Sequence, residues 1–361
     1  MQLTIPGRIE AIREYQRRGG KVAAVFPIHY PRALLRAFNL LPVEVWGPPG
    51  IGGIDGAAHV QPYVCSIVHN AISFLQAGKL EIAEVIVVPH ACDSLQGLGS
   101  ILIDFVQPEQ PVLPLYIPRG RRESDLVFLA AELRATYEQL SEITGETPTD
   151  EELMASVRRE ERADLLLAEV HRQRLKLPLP DSLFYHLIRS REYLPAERFS
   201  ELAEEALVMA DRGQDNGGIP VLLSGILPEP MRLLEAFSEV GAVVAADDLA
   251  CCGRRLYPPG VSDKPFTRMA ERLQNSPPDS TRGDSIRSRG AHLRQLAHRT
   301  GARGVIFYEV KFCEPELFDL PLLRKSLAEA GIPAITVEVD INEPLPQRVV
   351  TRLEAFVEMI A

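Results

Sequence analysis

The sequence predicts an α/β protein with two Rossmann-like halves, each a four-stranded parallel sheet flanked by helices, plus a helical insertion. Short runs rich in Val and Ile recur along the chain, and segments with helical periodicity follow them. This alternation is typical of doubly wound parallel sheets. It stops near residue 123 and resumes near residue 219. We therefore expect an N-terminal α/β domain over residues 1–122, a helical insertion over 123–215 and a C-terminal α/β domain over 216–361.

The first half is expected to begin with an amphipathic helix over residues 3–18. Pro31 opens the helix after the first strand, because proline in a first helical turn loses no hydrogen bond. A Gly-rich loop over residues 50–56 leads to a helix that contains Cys65, and it has too little pattern for a nucleotide site. The strands predicted for this half cover residues 21–29, 43–46, 84–89 and 112–118.

The insertion is expected to be helical, with helices over 124–143, 149–174, 181–191 and 195–212. The run 147–152 (TPTDEE) marks a helix start, since a threonine hydroxyl caps free amides and the acidic residues after it suit the positive end of a helix. Strands and helices alternate again in the second half. The strands predicted there cover residues 219–226, 242–248, the run from Gly304 to just before Cys313, and 332–339.

Composition limits the function classes. The formal net charge is −10 and the pI is about 5.4, which argues against nucleic acid as the main partner. No apolar run reaches the roughly 18–20 residues that span a bilayer, and the N-terminus lacks the apolar core of a signal peptide. We therefore expect a cytoplasmic protein that does not bind membranes. Five cysteines in 361 residues do not make a secreted disulfide framework.

The cysteines carry the main functional signal. Cys92, the Cys251–Cys252 pair and Cys313 each come just after a predicted strand. The carboxyl ends of parallel strands share one edge of a sheet, where open α/β proteins build their sites. If the two halves face each other, Cys92 and Cys313 meet, and Cys65 can reach the same cleft. Thiolates bind zinc or iron–sulfur clusters. The long spacings match neither zinc ribbons nor ferredoxins, so spacing alone leaves inert buried thiols, a zinc site and a cluster open.

Several motifs, in order along the chain, resemble those of the 2-hydroxyacyl-CoA dehydratase and benzoyl-CoA reductase family. The resemblance runs from about residue 22 to 356, and the helical insertion matches only loosely. The matching runs are Cys65-Ser66 with its helix, 88–94 (VPHACDS), 246–249 (ADDL), 310–319 (VKFCEPELFD), 330–333 (AGIP), 338–340 (EVD) and 351–356 (TRLEAF).

The resemblance implies that Cys65, Cys92 and Cys313 hold one [4Fe–4S] cluster, with one iron left open for another ligand. It also implies a homologous sister subunit, an ATP-dependent iron–sulfur activator protein and an acyl-CoA substrate. In such enzymes, a low-potential electron produces a ketyl radical that loses a hydroxyl group, or it reduces an aromatic ring. The chain has no GxxxxGK[ST] phosphate loop, which is consistent with ATP use on the activator.

Two other functions stay open at this stage. The first is a double-cubane reductase of small molecules, although that cluster would need about six cysteine ligands and the chain has five. The second is a non-catalytic electron-transfer subunit whose sister holds the substrate. Whether Cys251 or Cys252 supplies an additional ligand to the cluster also stays open.

Three further residues are candidates for catalysis. His29 ends a predicted strand and His90 directly follows one, and both could act as proton donors there. Ser94 follows Cys92 and could donate a hydrogen bond to a cluster sulfur. Ordinary packing is the competing interpretation for the two histidines, and helix capping is the competing one for Ser94. The basic stretch from Arg282 to Arg303 is interpreted as a solvated helix face, with a grip on coenzyme A phosphates as the alternative.

Overall fold

The computed structural model describes residues 3–47, 60–211 and 217–361. Two four-stranded sheets form within these ranges, and every neighbouring pair of strands is parallel. The predicted α/β class with two parallel sheets is therefore confirmed. The Gly-rich loop over 50–56 and the domain boundary at 215–216 lie outside the described residues, and the division into three domains stays a prediction.

The first sheet has the strand order β2-β1-β3-β4. Its strands are apolar along their length rather than alternating, because helices cover both faces of a parallel sheet. All five residues of β2 and of β3 are buried. The strands are β1 (Lys21–Val25), β2 (Leu40–Glu44), β3 (Val85–Pro89) and β4 (Val112–Leu115).

The second sheet repeats this topology with the order β6-β5-β7-β8, although the sequence shows no repeat. β3 and β7 therefore occupy corresponding places, each beside the first strand of its sheet. There the strand order reverses, and ligands of doubly wound proteins bind at such a point. The strands are β5 (Ile219–Gly225), β6 (Ala242–Leu249), β7 (Gly304–Val310) and β8 (Ala334–Val339).

Helices cover both sheets, and the described part of the chain between β4 and β5 contains helices but no strand, as predicted. One of these helices starts at Thr149 as expected, since the Thr149 hydroxyl accepts a hydrogen bond from the Glu152 amide at 3.3 Å. The α-helices are α1 (Arg8–Arg17), α2 (Arg32–Ala37), α3 (Ser66–Gln76), α4 (Asp93–Ile101), α5 (Glu123–Thr144), α6 (Asp150–Arg172), α7 (Asp181–Arg189), α8 (Ala196–Ala210), α9 (Arg232–Glu239), α10 (Pro265–Gln274), α11 (Ile286–Thr300), α12 (Glu314–Glu329) and α13 (Gln347–Ile360).

One apolar core runs through both halves. It contains Val22 and Ile86 from the first sheet together with Val221 and Ile306 from the second. The halves are thus packed against each other without a solvent layer, and side chains from both can share a site. No helix within the described ranges combines the length and apolarity that crossing a bilayer requires.

The first strand ends earlier than predicted. β1 stops at Val25 instead of continuing to residue 29. His29 has a φ of 65°, a left-handed backbone that a strand cannot contain. The segment after β1 therefore bends away from the sheet, and this bend determines where His29 lies.

Candidate functional site

Three cysteines occupy the same local position, directly before a helix. Cys65 is the N-cap residue of α3, Cys92 of α4 and Cys313 of α12. The first backbone N–H groups of a helix have no partner within the helix, and the helix dipole is positive at that end. Each sulfur therefore lies where the backbone favours a negative charge.

The three cysteines line one cavity of about 50 Å³ between the two halves. On this measure one water molecule needs roughly 10–15 Å³. The first half supplies Cys65 and Cys92, and the second supplies Cys313. The structure thus brings together the three cysteines that the sequence singled out. The other lining residues are almost all apolar: Pro27, Ile28, Trp46, Ile67, Val68, Ala91, Leu95, Ile226, Ala250, Thr281 and Pro315.

Burial raises the pKa of all three thiols. It is the largest effect on Cys65, and it raises the pKa of Cys92 to about 12, with the nearby Cys65 adding to the shift. The pKa of Cys313 lies well above its usual value because of burial first and then Cys65. Three thiolates would repel one another in this apolar space. A cationic metal core would offset that repulsion and bind them as thiolates.

Backbone amides oppose the effect of burial, because they lower the pKa of two of these thiols. The amides of Ile67 and Val68 lower the pKa of Cys65, and those of Ser94 and Leu95 lower that of Cys92. Amides that stabilise sulfur anions are a common feature around iron–sulfur clusters, where they tune the potential. The helix starts therefore suit an anionic, sulfur-ligated group.

The donor set consists of three sulfur atoms around an apolar cavity. Thiolates are the ligands that zinc and iron–sulfur clusters take. Among the described residues, no group of three or more His, Cys, Asp or Glu side chains is placed to hold one metal ion.

Cys251 and Cys252 form a separate pair. Their sulfurs are 3.2 Å apart in the turn after β6, and both are buried. Neither lines the thiol cavity, although the preceding residue, Ala250, does. Burial and the neighbouring Cys251 raise the pKa of Cys252 well above its usual value. The pair therefore lies outside the lining of the cavity that the other three cysteines share.

His29 is buried beside the cavity and does not line it. Its Nε2 lies 3.2 Å from Oδ2 of Asp279, and its Nδ1 lies 3.4 Å from the Tyr257 hydroxyl. Burial lowers the pKa of His29. Its neighbour Ile28 faces the thiols instead. A proton held by His29 therefore belongs to an internal hydrogen-bond network.

His90 and Ser94 also lie outside the thiol cavity. The His90 ring packs edge-on against Tyr116 at 4.5 Å between ring centroids, and neither ring nitrogen has a hydrogen-bond partner among the described residues. Burial lowers the pKa of His90. Ser94 lines a surface groove of about 290 Å³ together with Tyr63 and Glu314. The roles of both residues stay predictions.

A buried network of charged side chains next to the cysteines was not predicted. The Arg254 guanidinium donates to Glu316 at 2.6 Å, to Asp248 at 3.2 Å and to Asp279 at 3.2 Å. Arg289 donates to the same Glu316 at 2.6 Å. Glu316 is in the first turn of α12, three residues after Cys313, so the network holds the helix that presents this cysteine.

The interpretation of the basic stretch as a solvated helix face is wrong for two of its arginines, whereas Arg287, Arg299 and Arg303 are exposed as expected. Arg289 is fully buried and Arg282 is 3% exposed. Both donate to protein acceptors, Arg282 to Ser276 and Arg289 to Asp248. Their burial follows from carboxylates and hydroxyls that lie elsewhere in the sequence. The pair Asp247-Asp248 at the end of β6 was the one local sign of such a network.

Comparison with known proteins gives a consistent set of matches. The family described as 2-hydroxyglutaryl-CoA dehydratase, D-component, matches residues 27–360. The chain is 25% identical to the (R)-phenyllactyl-CoA dehydratase beta subunit of Clostridium sporogenes, over 97% of this chain and 94% of the relative. It is 26% identical to the lactoyl-CoA dehydratase subunit beta of Anaerotignum propionicum, over 97% and 95%. It is 24% identical to one of the benzoyl-CoA reductase subunits of Thauera aromatica, over 94% and 91%.

Proposed function

Since the chain belongs to the family of the 2-hydroxyglutaryl-CoA dehydratase D-component, we propose that it is a cluster-binding subunit of a 2-hydroxyacyl-CoA dehydratase or benzoyl-CoA reductase type enzyme. Cys65, Cys92 and Cys313 would hold one [4Fe–4S] cluster. The observation that carries this proposal is the shared cavity, into which three helix starts from both halves of the chain bring one cysteine each.

The chain's own residues would hold the cluster and keep water away from it. The apolar wall around the thiols, with Trp46 and Ile226 among its members, lowers the local dielectric constant. When bound, a cluster with three thiolate ligands supplies a low-potential electron and an open iron site for an acyl-CoA. The buried pair of Arg254 and Glu316 would keep Cys313 in place during the redox cycle.

The proposal includes two protein partners. The relatives are themselves named as single subunits, and such names belong to enzymes of several subunits. We therefore expect a homologous sister subunit here as well. The electron would come from a separate ATP-dependent activator, since the sequence has no phosphate-binding loop of the GxxxxGK[ST] type.

The first test is a metal and sulfide count on the chain purified under strictly anaerobic conditions. We expect about four iron and four sulfide per chain, together with the visible absorption of an iron–sulfur cluster. About eight iron per chain would instead indicate a double-cubane protein. A colourless preparation without iron would refute the cluster.

The second test concerns the reaction. The chain is combined with its sister subunit, an ATP-dependent activator from the same source and a 2-hydroxyacyl-CoA or benzoyl-CoA. We expect formation of the enoyl-CoA or of the reduced ring, and we expect it to require ATP. Turnover by the sister subunit alone would overturn the assignment of this chain as an essential subunit.

A further inference from the structure

Two buried thiols, those of Cys251 and Cys252, have no part in the proposed function. The two residues are 5% and 3% exposed, and their sulfurs lie 3.2 Å apart. Side chains of neighbouring residues in a strand point to opposite faces of the sheet, so adjacent cysteines in extended backbone do not meet. The contact between the sulfurs therefore depends on the turn that follows β6.

This turn is held in place by Asp247 near the end of β6. Its Oδ1 accepts hydrogen bonds from the amide of Leu249 at 3.1 Å and from the amide of Gly253 at 2.7 Å. The Cys252 amide donates to the Leu249 carbonyl oxygen at 3.0 Å. A Cβ atom at position 253 would overlap the Asp247 carbonyl oxygen, so the turn requires glycine there. A fixed backbone, and not the chance rotation of two side chains, thus brings the sulfurs together.

The two thiols differ in their electrostatic surroundings. Burial lowers the pKa of Arg189, but Glu192 and Cys251 outweigh this effect, so the pKa lies well above its usual value and the guanidinium stays charged beside Cys251. Burial raises the pKa of Cys252, and Cys251 and Asp247 add to the shift. The thiolate is the reactive form of cysteine, and a nearby arginine stabilises it. Cys251 is therefore the thiol expected to react first, with Cys252 as its neighbouring partner.

We propose that Cys251 and Cys252 form a redox site, in which hydrogen peroxide oxidises the dithiol to a disulfide between neighbouring residues. The Cys251 thiolate attacks one peroxide oxygen and becomes a sulfenic acid, and the hydroxide that leaves takes up the proton released by Cys251. The Cys252 sulfur then attacks the Cys251 sulfur, forms the S–S bond and displaces water. Overall, two thiols and one peroxide give one disulfide and two molecules of water.

The resulting disulfide would be readily reduced again. Cα atoms of neighbouring residues are at most about 3.8 Å apart, whereas those of ordinary disulfides are about 4.4–6.8 Å apart. A disulfide outside this range is strained, and strained disulfides are labile rather than structural. We therefore expect reduced glutathione to restore the dithiol.

The pair is one residue away from the wall of the thiol cavity. Ala250 lines that cavity, and so does Ile226, whose carbonyl oxygen accepts from the Cys251 amide at 3.0 Å. Closing the disulfide would therefore pull on a turn that forms part of this wall. The proposal does not depend on a bound cluster, because the two reacting sulfurs lie outside the lining of the thiol cavity.

The sequence allows the pair to be measured apart from the other cysteines. No Lys or Arg occurs between Arg232 and Arg254, so trypsin releases residues 233–254 as one peptide that contains Cys251 and Cys252 and no other cysteine. The full chain, prepared anaerobically, is treated with hydrogen peroxide, blocked with N-ethylmaleimide under denaturing conditions, digested and analysed by mass spectrometry.

We expect this peptide to be about 2 Da lighter than its dithiol form and to carry no N-ethylmaleimide. Treatment with reduced glutathione before blocking should restore a peptide that carries two N-ethylmaleimide groups. A peptide with two blocked thiols after peroxide treatment would refute the proposal. So would a peptide that gains oxygen atoms without losing two hydrogens, because the neighbouring thiol would then not have reacted with the sulfenic acid.

Two matched variants test which thiol reacts first. In Cys252→Ser the sulfenic acid on Cys251 has no thiol beside it, so dimedone should label it. Cys251→Ser leaves the thiol of Cys252 beside Asp247, and its dimedone labelling should be at least about tenfold lower. Equal labelling in the two variants would contradict the assigned order. The mass shift of the wild-type peptide requires neither variant, so it decides the proposal even if a substitution unfolds the chain.

Discussion

His29 Nε2 lies 3.2 Å from Asp279 Oδ2, and this contact joins the segment after β1 to a loop of the second half. Both side chains are buried, and burial lowers the pKa of His29. The ring is therefore neutral near pH 7, so it donates Nε2–H to the carboxylate while Tyr257 lies 3.4 Å from Nδ1. The contact is a hydrogen bond between the halves rather than an ion pair.

The lowered pKa of His29 makes stability depend on pH. The unfolded chain takes up a proton at this residue below about pH 6.5, and the folded chain does so only at lower pH. Neutral His29 makes its full contribution to the free energy of unfolding above about pH 6.5. This contribution is lost as pH falls below that value, because the unfolded state then binds more protons. Urea unfolding between about pH 5 and 8 should therefore show a weaker pH dependence for His29→Gln than for wild type.

The same variant should lower stability near neutral pH by about 1–3 kcal/mol, because the buried Asp279 loses a well-placed donor. The control is His298→Gln, since His298 is exposed on α11. If the free energy of unfolding changed with pH in the same way for wild type, His29→Gln and His298→Gln, His29 would not titrate as described.

The thiol cavity predicts which cysteines matter for iron. Cys65→Ser, Cys92→Ser and Cys313→Ser should each lose most of the bound iron, because serine is nearly isosteric but a poor ligand for iron. Cys251→Ser and Cys252→Ser should keep the wild-type content, since neither residue lines the cavity. Iron and sulfide counts on anaerobic preparations measure this. Loss of iron from Cys252→Ser as complete as that from Cys65→Ser would contradict the assignment.

Much of the fold and part of the site followed from local sequence patterns. Val-rich runs such as 85–88 indicated the strands. The shared edge of parallel strands then predicted that Cys92 and Cys313 lie in one region. The repeated strand order of the two sheets explains why both cysteines follow the corresponding strand, β3 or β7.

The remainder depended on contacts between distant residues. His29 was a candidate proton donor with ordinary packing as the competing interpretation, and its left-handed backbone and its bond to Asp279, 250 residues away, direct it into a buried network. Arg289 was expected to be solvated, since arginine is rarely buried unless it is paired. Its partners Asp248 and Glu316 come from β6 and α12, and no spacing within α11 reveals them.

Arg254 should be important for stability because three carboxylates depend on it. It is fully buried and donates to Asp248, Asp279 and Glu316. Arg254→Met keeps most of the volume but leaves these charges without their partner, and such changes cost about 3–5 kcal/mol. We expect urea unfolding to show a loss of this size.

The control for this variant is Arg172→Met, which removes an exposed arginine paired with Glu169 on α6. Solvent and salt screen such a surface pair, so we expect no measurable change. A change for Arg254→Met as small as that for Arg172→Met would contradict the claim that the Arg254 charge is needed to compensate the three carboxylates.

Glu309 on β7 is a buried carboxyl group close to the same network. It is 1% exposed, and its Oε2 has no hydrogen-bond partner in the part of the chain that the structure describes. Burial first and then repulsion from Glu316 raise its pKa to about 8, although Arg289 and Arg254 act in the opposite direction. The side chain is therefore protonated at neutral pH in the folded protein.

Glu309 should make the folded protein less stable as pH rises. An unfolded Glu releases its proton near about pH 4.3, whereas the folded group keeps it up to about pH 8. Between these two pH values the folded state binds more protons than the unfolded state. The contribution of Glu309 to stability is therefore complete near the lower value and is lost as pH rises toward the upper one. Glu309→Gln removes this loss, so its free energy of unfolding should be higher than that of wild type near pH 8, and the difference should shrink toward about pH 5. The control is Glu338→Gln, because Glu338 is the exposed cross-strand neighbour on β8. Urea unfolding curves that fall in parallel for wild type and Glu309→Gln would show that the carboxyl group is already ionised in the folded chain.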